Sequence, residues 1–244
     1  MANAKLTVVI PTLNEEKDLY KTLASVKDLA DEIIVIDSGS TDKTVEIAKS
    51  YGAKVISHPF ISFSDTRNFG NQEAKGDWIL SIEADVVVSK ELSVEIKEAL
   101  KSPEYSAYFI PRLNLIWGKP IRHTDWSPQD DCHIWLYQKG SGQWQSLVHE
   151  EFATIQKVGK LKNFLVHKNY ETISEFIDKI DRYSELATKQ KQFFPNWWFV
   201  RDFFKRYFYK LGFLDGYHGL FLSYLQSVYY LTLNVKKHTH ENSH

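Results

Sequence analysis

Glu83 and Asp85 close the run Trp78-Ile-Leu-Ser-Ile-Glu-Ala-Asp-Val86, an apolar stretch that ends in two carboxylates one residue apart. A short apolar run bounded by turn-formers reads as a buried strand. In open α/β sheets, ligands sit beyond the carboxyl ends of the strands. Two acids at such an end suit a hard divalent cation, Mg²⁺ or Mn²⁺, which prefers oxygen ligands and can hold a diphosphate. An isolated Glu-x-Asp also reads as a pair of solvated turn acids. What other loops bring to the same place decides between the two.

Three further stretches carry candidate chemistry. Asp37 ends the β-branched run Ile33-Ile-Val-Ile36. A carboxylate there accepts hydrogen bonds from a uracil or a ribose, or simply closes its own turn. Glu15 follows the run Leu6-Thr-Val-Val-Ile10 and Pro11, whereas Asp42 reads as a first-turn helix acid. Arg67, on the helix feeding the Trp78 strand, would neutralise a diphosphate bidentately or form a surface salt bridge. Cys132 fits a half-buried strand position better than a nucleophile. His238, His240 and His244 are too irregularly spaced for a metal site.

The elements that must position these residues follow from periodicity. Strands over Leu6–Ile10, Ile33–Ile36 and Lys54–Ile56 alternate with helices. The first helix is expected from an Asn14 N-cap to about Val26, the second from Ser40 or Thr41 to about Tyr51 with Gly52 at its C′ position, and the third from about Ser64 to Ala74. Such alternation implies βαβ units and a parallel sheet, and right-handed crossovers place Pro11–Glu15, Asp37–Ser40 and Glu83–Asp85 on one rim. A helix over Lys90–Leu100 and strands over Tyr105–Ile110 and His133–Tyr137 follow. Between those strands, Trp117, Gly118, Pro120, Trp126 and Pro128 mark a long loop over the rim. Three helices then run over about Ile173–Phe193, Asn196–Leu211 and Asp215–Val235, and Lys236–His244 is expected to fray.

The 244 residues suffice for a real core, and one cysteine excludes a disulfide framework or thiolate cluster. The chain enters a strand soon after Lys5, so no secretory signal is expected, and no run of 18 apolar residues reads as a membrane span. The net charge of −1 hides an asymmetry: residues 1–159 carry 17 Lys/Arg against 23 Asp/Glu, and residues 160–244 carry 13 against 8. Sixteen of the 35 aromatic residues fall between Phe193 and Tyr230. An acidic front and a basic, aromatic tail suggest two jobs, neither of them nucleic-acid binding.

Together, Val8-Val-Ile-Pro-Thr-Leu-Asn-Glu-Glu16, Asp31-Glu-Ile-Ile-Val-Ile-Asp-Ser-Gly-Ser-Thr-Asp-Lys-Thr44, Arg67-Asn-Phe-Gly70 and Asp77-Trp-Ile-Leu-Ser-Ile-Glu-Ala-Asp85 resemble the family 2 glycosyltransferases. The resemblance implies the GT-A fold, a Rossmann-like, mostly parallel α/β sheet that binds a nucleotide-sugar. It implies a GT-A domain over 1–160, a helical aromatic-basic extension over 161–237 and a disordered tail over 238–244. Trp144, Val148-His-Glu150, His167, Lys179, Tyr183-Ser184 and Gly212-Phe-Leu-Asp-Gly216 with Gly219 look like the bacterial subgroup of lipopolysaccharide core β-1,4-glucosyltransferases.

The resemblance implies roles for matched positions. Pro11, Thr12, Glu15, Asp37 and Ser38 would contact the nucleotide, Arg67 would lie near the diphosphate, and Asp85 would bind Mg²⁺ or Mn²⁺ with Glu83 beside it at the sugar-nucleotide. Glu83 stands where the family's Asp-x-Asp has its first aspartate, and Trp135 where relatives often have arginine. The implied reaction is an inverting transfer of a hexose, such as glucose from UDP-glucose, to a lipopolysaccharide inner-core or other lipid-linked acceptor. An acceptor hydroxyl needs a base. The resemblance offers Asp131 and Glu150, with Asp131 preferred, and His149 as a further metal-shell candidate. Competing expectations are a family 2 enzyme acting on a polyprenyl phosphate or a capsule repeat, and a noncatalytic sugar-nucleotide-binding module.

The tail stretch Phe193–Lys210 mixes bulky aromatics with Arg201, Lys205, Arg206 and Lys210, a composition that favours an anionic lipid surface. Together with the lipid-linked acceptor that the resemblance implies, it predicts a protein held peripherally at the cytoplasmic face of the bacterial inner membrane. Packing on a second subunit is the alternative for the same rings.

Overall fold

The computed structural model describes residues 5–146, 150–189, 195 and 197–241. Two compact units divide the chain: Met1–Arg112 with Cys132–His167, and Leu113–Asp131 with Lys168–His244. The first unit opens with β1 (Leu6–Thr12), α1 (Leu19–Val26), β2 (Glu32–Asp37), α2 (Thr44–Ser50), β3 (Lys54–Ser57), α3 (Phe63–Glu73), β4 (Trp78–Ser81), β5 (Val86–Val88) and α4 (Lys90–Lys101). Then β6 (Ala107–Ile116) leads to β7 (Lys119–Pro120) and a 3₁₀ turn (Thr124–Trp126). The strands β8 (Cys132–Gln138), β9 (Gln143–Gln145), β10 (Glu151–Ala153), β11 (Val158–Lys160) and β12 (Leu165–Tyr170) follow. The chain ends in α5 (Ile173–Lys189), α6 (Trp198–Phe204), a π-helical turn (Lys205–Tyr209), a 3₁₀ turn (Gly212–Asp215) and α7 (Tyr217–Glu241).

Among the described residues, ten strands form one sheet in the order β3-β2-β1-β4-β8-β6-β12-β5, with β11 and β7 beside β6. The first four are parallel. The central runs β1 and β4 are buried almost throughout, as strands covered on both faces must be, β2 is buried from Ile34 onward, and the edge strand β3 is only half-buried. From β8 outward the strands pair mainly antiparallel, so the parallel part of the sheet is confined to β3-β2-β1-β4. The order reverses at β1: β2 and β3 lie on one side and β4 on the other. This is the topological switch point, where the loops after adjacent strands diverge and leave a crevice at the carboxyl edge. α3 is pressed onto the face of β1, since a Cβ on Gly70 would sit 2.4 Å from Val9 Cγ1.

Local chemistry shifts several expected boundaries. α1 starts at Leu19 because Asn14 does not cap it: Asn14 adopts φ +58°, a left-handed conformation that asparagine tolerates. Its N–H donates to Ser40 Oγ (2.9 Å), and its Oδ1 accepts from the Thr41 N–H (2.8 Å). The asparagine thus ties the first loop to the second. α2 starts at Thr44, whose N–H donates to Asp42 Oδ1 at 2.9 Å, so Asp42, rather than Ser40 or Thr41, satisfies the helix start. The expected rim loop contains a hairpin, in which β6 runs to Ile116, turns at Trp117 and Gly118 (φ +50° and +75°) and returns as β7. Segment 113–131 groups with the C-terminal helices. α7 continues past Val235 to Glu241.

The second unit has its own core of Ile116, Ile121, Tyr170, Phe176, Ile180 and Leu222. Cys132 is partly buried at the start of β8. Among the described residues, no helix is long and apolar enough to cross a membrane.

Candidate active site

β4 delivers Glu83 and Asp85 into the turn before β5, at the carboxyl edge of the parallel strands. β12 pairs antiparallel with β5 and sets His167 opposite Val86. His167 Nε2 therefore lies 3.2 Å from Asp85 Oδ2 and 3.9 Å from Glu83 Oε2. Ligand atoms of these three residues lie within 4.8 Å of one another. Two carboxylates and an imidazole make a donor set that fits a divalent cation completing its shell with water and phosphate oxygens.

Arg67, one helical turn before Gly70 on α3, is fully buried. Each part of its fork has a separate partner: Nη1 donates to Ser81 Oγ (2.8 Å), Nη2 to Glu83 Oε1 (3.4 Å) and Nε to Glu150 Oε1 (3.4 Å). The guanidinium carbon lies 4.7 Å from the Trp144 ring centroid and 5.2 Å from that of Trp135. Asn68 holds Trp144 in place, exchanging hydrogen bonds of 2.9 Å with its backbone N–H and C=O. The Trp144 indole N–H donates to Tyr137 Oη (2.8 Å), whose own hydroxyl donates to Asn71. Burial pushes the Tyr137 hydroxyl up to about 12, so it stays a neutral donor. Trp135, which replaces the expected arginine, also packs under Arg112, at 5.6 Å from its guanidinium carbon. Arg112 Nη1 in turn donates to Glu83 Oε2 at 2.8 Å. Two arginines thus grip Glu83.

The loop after β1 reaches the same cluster. Burial and the nearby charges of Asp85, Asp18, Asp42 and Glu83 push the Glu15 carboxyl up to about 7. The Glu15 N–H is pinned to Thr44 Oγ1 at 2.7 Å. Thr12 is buried at the end of β1, Pro11 is half-buried beside it, and the Ser38 N–H donates to the Thr12 carbonyl (3.0 Å). Asp37 pairs with Thr12 across the strands and turns its carboxylate back on its own loop, accepting N–H bonds from Gly39 (3.1 Å) and Ser40 (3.2 Å). It organises that turn.

Of the two candidate bases, Glu150 lies in the first unit, held by Arg67. Asp131 belongs to the second. It is buried, and its Oδ2 accepts from Asn114 Nδ2 at 2.7 Å. Asn114 is itself fully buried and accepts on Oδ1 from Asn169 Nδ2 (3.0 Å), so a chain of amides fixes the carboxylate. The adjacent Asp130 faces Lys210 at 2.9 Å. Burial works against its charge, yet hydrogen bonds from Lys210 and Ser127 hold its carboxyl below the usual range. His149 lies outside the described residues.

The family model described as "Glycosyl transferase family 2" matches residues 7–208. The chain belongs to this family. An uncharacterized glycosyltransferase of Rickettsia typhi, RT0209, is 32% identical over 238 residues, covering 87% of this chain and 80% of the relative. The lipopolysaccharide core biosynthesis glycosyltransferase LpsC of Rhizobium meliloti is 26% identical over 233 residues, covering 87% and 85%. Among solved structures, Staphylococcus aureus TarS 1-349 superposes with a TM-score of 0.50 at 16% identity, covering 74% of this chain and 64% of that one. This likeness concerns the fold, which is GT-A.

Two members of this cluster received no site role from the sequence. His167 stood out only among the subgroup motif residues; it is 82 positions from Asp85, and nothing beside it in sequence points to a ligand. Only the β12–β5 pairing brings it in. Arg112 sits within an apolar strand, where a lone arginine was the available signal.

Proposed function

We propose that this chain transfers a hexose, with inversion, from a nucleotide-sugar such as UDP-glucose to a hydroxyl of a lipopolysaccharide inner-core or similar lipid-linked acceptor. The observation that carries the reading is the Glu83–Asp85–His167 cluster at the β1/β4 switch point, faced by Glu15. Family membership supports the reaction class, and similarity to LpsC, over most of both chains, supports the acceptor class.

Asp85 and His167 would hold the Mg²⁺ or Mn²⁺, which when bound neutralises charge gathering on a departing diphosphate. The chain's own residues do the rest. Glu83, already neutralised by Arg67 and Arg112, presents its carboxylate to hydroxyls of the donor. Pro11, Thr12, Glu15, Asp37 and Ser38 form the wall on which the nucleotide is bound. The acceptor oxygen attacks the anomeric carbon from the face opposite the nucleotide, the bond from that carbon to the phosphate oxygen breaks with its electron pair, and the acceptor proton passes to Asp131. Asn114 keeps the receiving carboxylate oriented. The buried Arg67 acts through Glu83 and Glu150 rather than on phosphate.

The test has two arms. Incubation with radiolabelled UDP-glucose and Mn²⁺ should release UDP slowly without acceptor and transfer label to extracted lipopolysaccharide core. Core from cells lacking the gene should be one hexose lighter by mass spectrometry. Unchanged core mass, or donor binding with neither hydrolysis nor transfer, refutes the proposal.

A further inference from the structure

The segment from Trp197 to Tyr217, wholly within the second unit, has its polarity inside out. On α6 and the following π-helical turn, two of the four charged residues point inward: Asp202 is 2% and Arg206 7% exposed. Asp202 Oδ2 accepts from Arg206 Nε at 2.6 Å, Arg206 also pairs with Asp125, and Lys210 pairs with Asp125 and Asp130. The aromatic residues point outward: Phe204 is 53% and Phe208 52% exposed. Trp197, Val200, Phe204, Phe208 and Leu211 recur at helical spacing, and all are exposed. The patch is continuous, because Phe204 stacks on Phe208 (5.5 Å), Tyr207 touches Phe208 (5.0 Å), and Tyr207 meets Phe213 (6.3 Å). Leu214 and Tyr217 extend it. Soluble monomers rarely expose a contiguous apolar patch of this kind without a partner.

The charges on the patch select that partner. Both acids of the segment, Asp202 and Asp215, are buried, the latter accepting N–H bonds from Arg122 and His123. Arg201 and Lys205 are exposed among the rings. A second copy meeting the same face about a two-fold axis would bring these cations against their own symmetry mates. Rings with cations and no exposed acid match the headgroup zone of an anionic bilayer. We infer that this face is a membrane-docking surface. Phe204, Phe208 and their neighbours enter the interface of an anionic phospholipid bilayer, and Arg201 and Lys205 supply its charge selectivity. Arg206 and Lys210, which composition alone assigns to the lipid, instead pair with the buried Asp202, the partly buried Asp125 and the exposed Asp130, and so neutralise negative charge that anionic lipid would repel. The inference is independent of which sugar is transferred.

The full chain, floated with vesicles of phosphatidylcholine alone or with about a third phosphatidylglycerol, tests this. Binding should favour the anionic vesicles, and Arg201→Gln with Lys205→Gln should weaken it about 30-fold, on the order of fivefold per charge. Phe204→Ser with Phe208→Ser should abolish binding to both vesicle types. Wild-type fluorescence offers a readout that needs no altered core residue: brominated lipid should quench a component that disappears in Trp197→Phe. Equal binding to neutral and anionic vesicles overturns the inference. So does the absence of Trp197 quenching, or a concentration-dependent dimer in light scattering whose formation buries the same rings.

Discussion

Replacing Arg67 by methionine removes one buried cation and leaves three partners behind. Ser81 Oγ, fully buried, loses its 2.8 Å donor, and Glu150, with 14% of its side chain exposed, loses its recorded cation. Glu83 is 35% exposed on its side chain and keeps Arg112 at 2.8 Å, so its share is small and screened. Stranding a buried charge costs about 3–5 kcal/mol. Trp144 and Trp135 also lose a cation over their faces, and the methionine recovers part of that packing. A net loss of about 3–5 kcal/mol, at roughly 2–4 °C per kcal/mol for a chain of this size, lowers the melting temperature by about 6–20 °C. Arg67→Lys keeps the charge but not the fork, and falls by about 1–3 kcal/mol. Urea and thermal melts of Arg67→Met, Glu150→Gln and the double variant measure both the loss and the coupling. The double variant should recover about 1–3 kcal/mol relative to additivity. Strict additivity, or a loss below about 1 kcal/mol in Arg67→Met, would refute the claim that Arg67 is held by these partners rather than reserved for phosphate.

Asp85→Asn and His167→Ala should each weaken Mn²⁺ binding by more than about tenfold in calorimetric titration; unchanged affinity in both removes the cation from this cluster. Glu15, raised from 4.5 to about 7 by burial and by Asp85, holds a proton in the folded chain that the unfolded chain releases. Its contribution to stability is therefore complete below pH 4.5 and is lost as pH rises towards 7. Melts across that window should fall less steeply for Glu15→Gln than for the wild type, and equal slopes would contradict the assignment. Asp131→Asn should lower kcat by about 10²–10⁴-fold with donor affinity retained, and Asn114→Ala should shift the pH profile of kcat in the same assay. If Glu150→Gln alone abolishes turnover and Asp131→Asn leaves it intact, the base is misassigned.

The parallel half of the fold was legible because its strands are continuous apolar runs closed by proline, aspartate or glutamate, a pattern that survives without tertiary information. The acids at those ends were legible for the same reason. Asn14 misled because its type suits a helix cap and a left-handed turn equally, and contacts with Ser40 and Thr41, far along the chain, decide between them. For Arg67 the surface salt bridge was the alternative that failed, because helical position says nothing about which face becomes buried; the packing of Trp135 and Trp144 does. The cations of the tail were counted correctly, but composition does not distinguish an exposed lysine from one paired with an aspartate 80 positions earlier, as Lys210 is with Asp130.

The pairing of β12 with β5 bears on how the molecule is made. The parallel strands, their helices and both acids of the Glu-x-Asp turn precede Lys90, so a nascent chain that has emerged that far already contains them. His167 arrives only after the long excursion through β6, β8 and the intervening hairpins. Such non-local closure is slow relative to local βα pairing. Cation affinity should therefore appear late in synthesis, as a sign that the antiparallel edge has closed rather than that the sheet has begun to form.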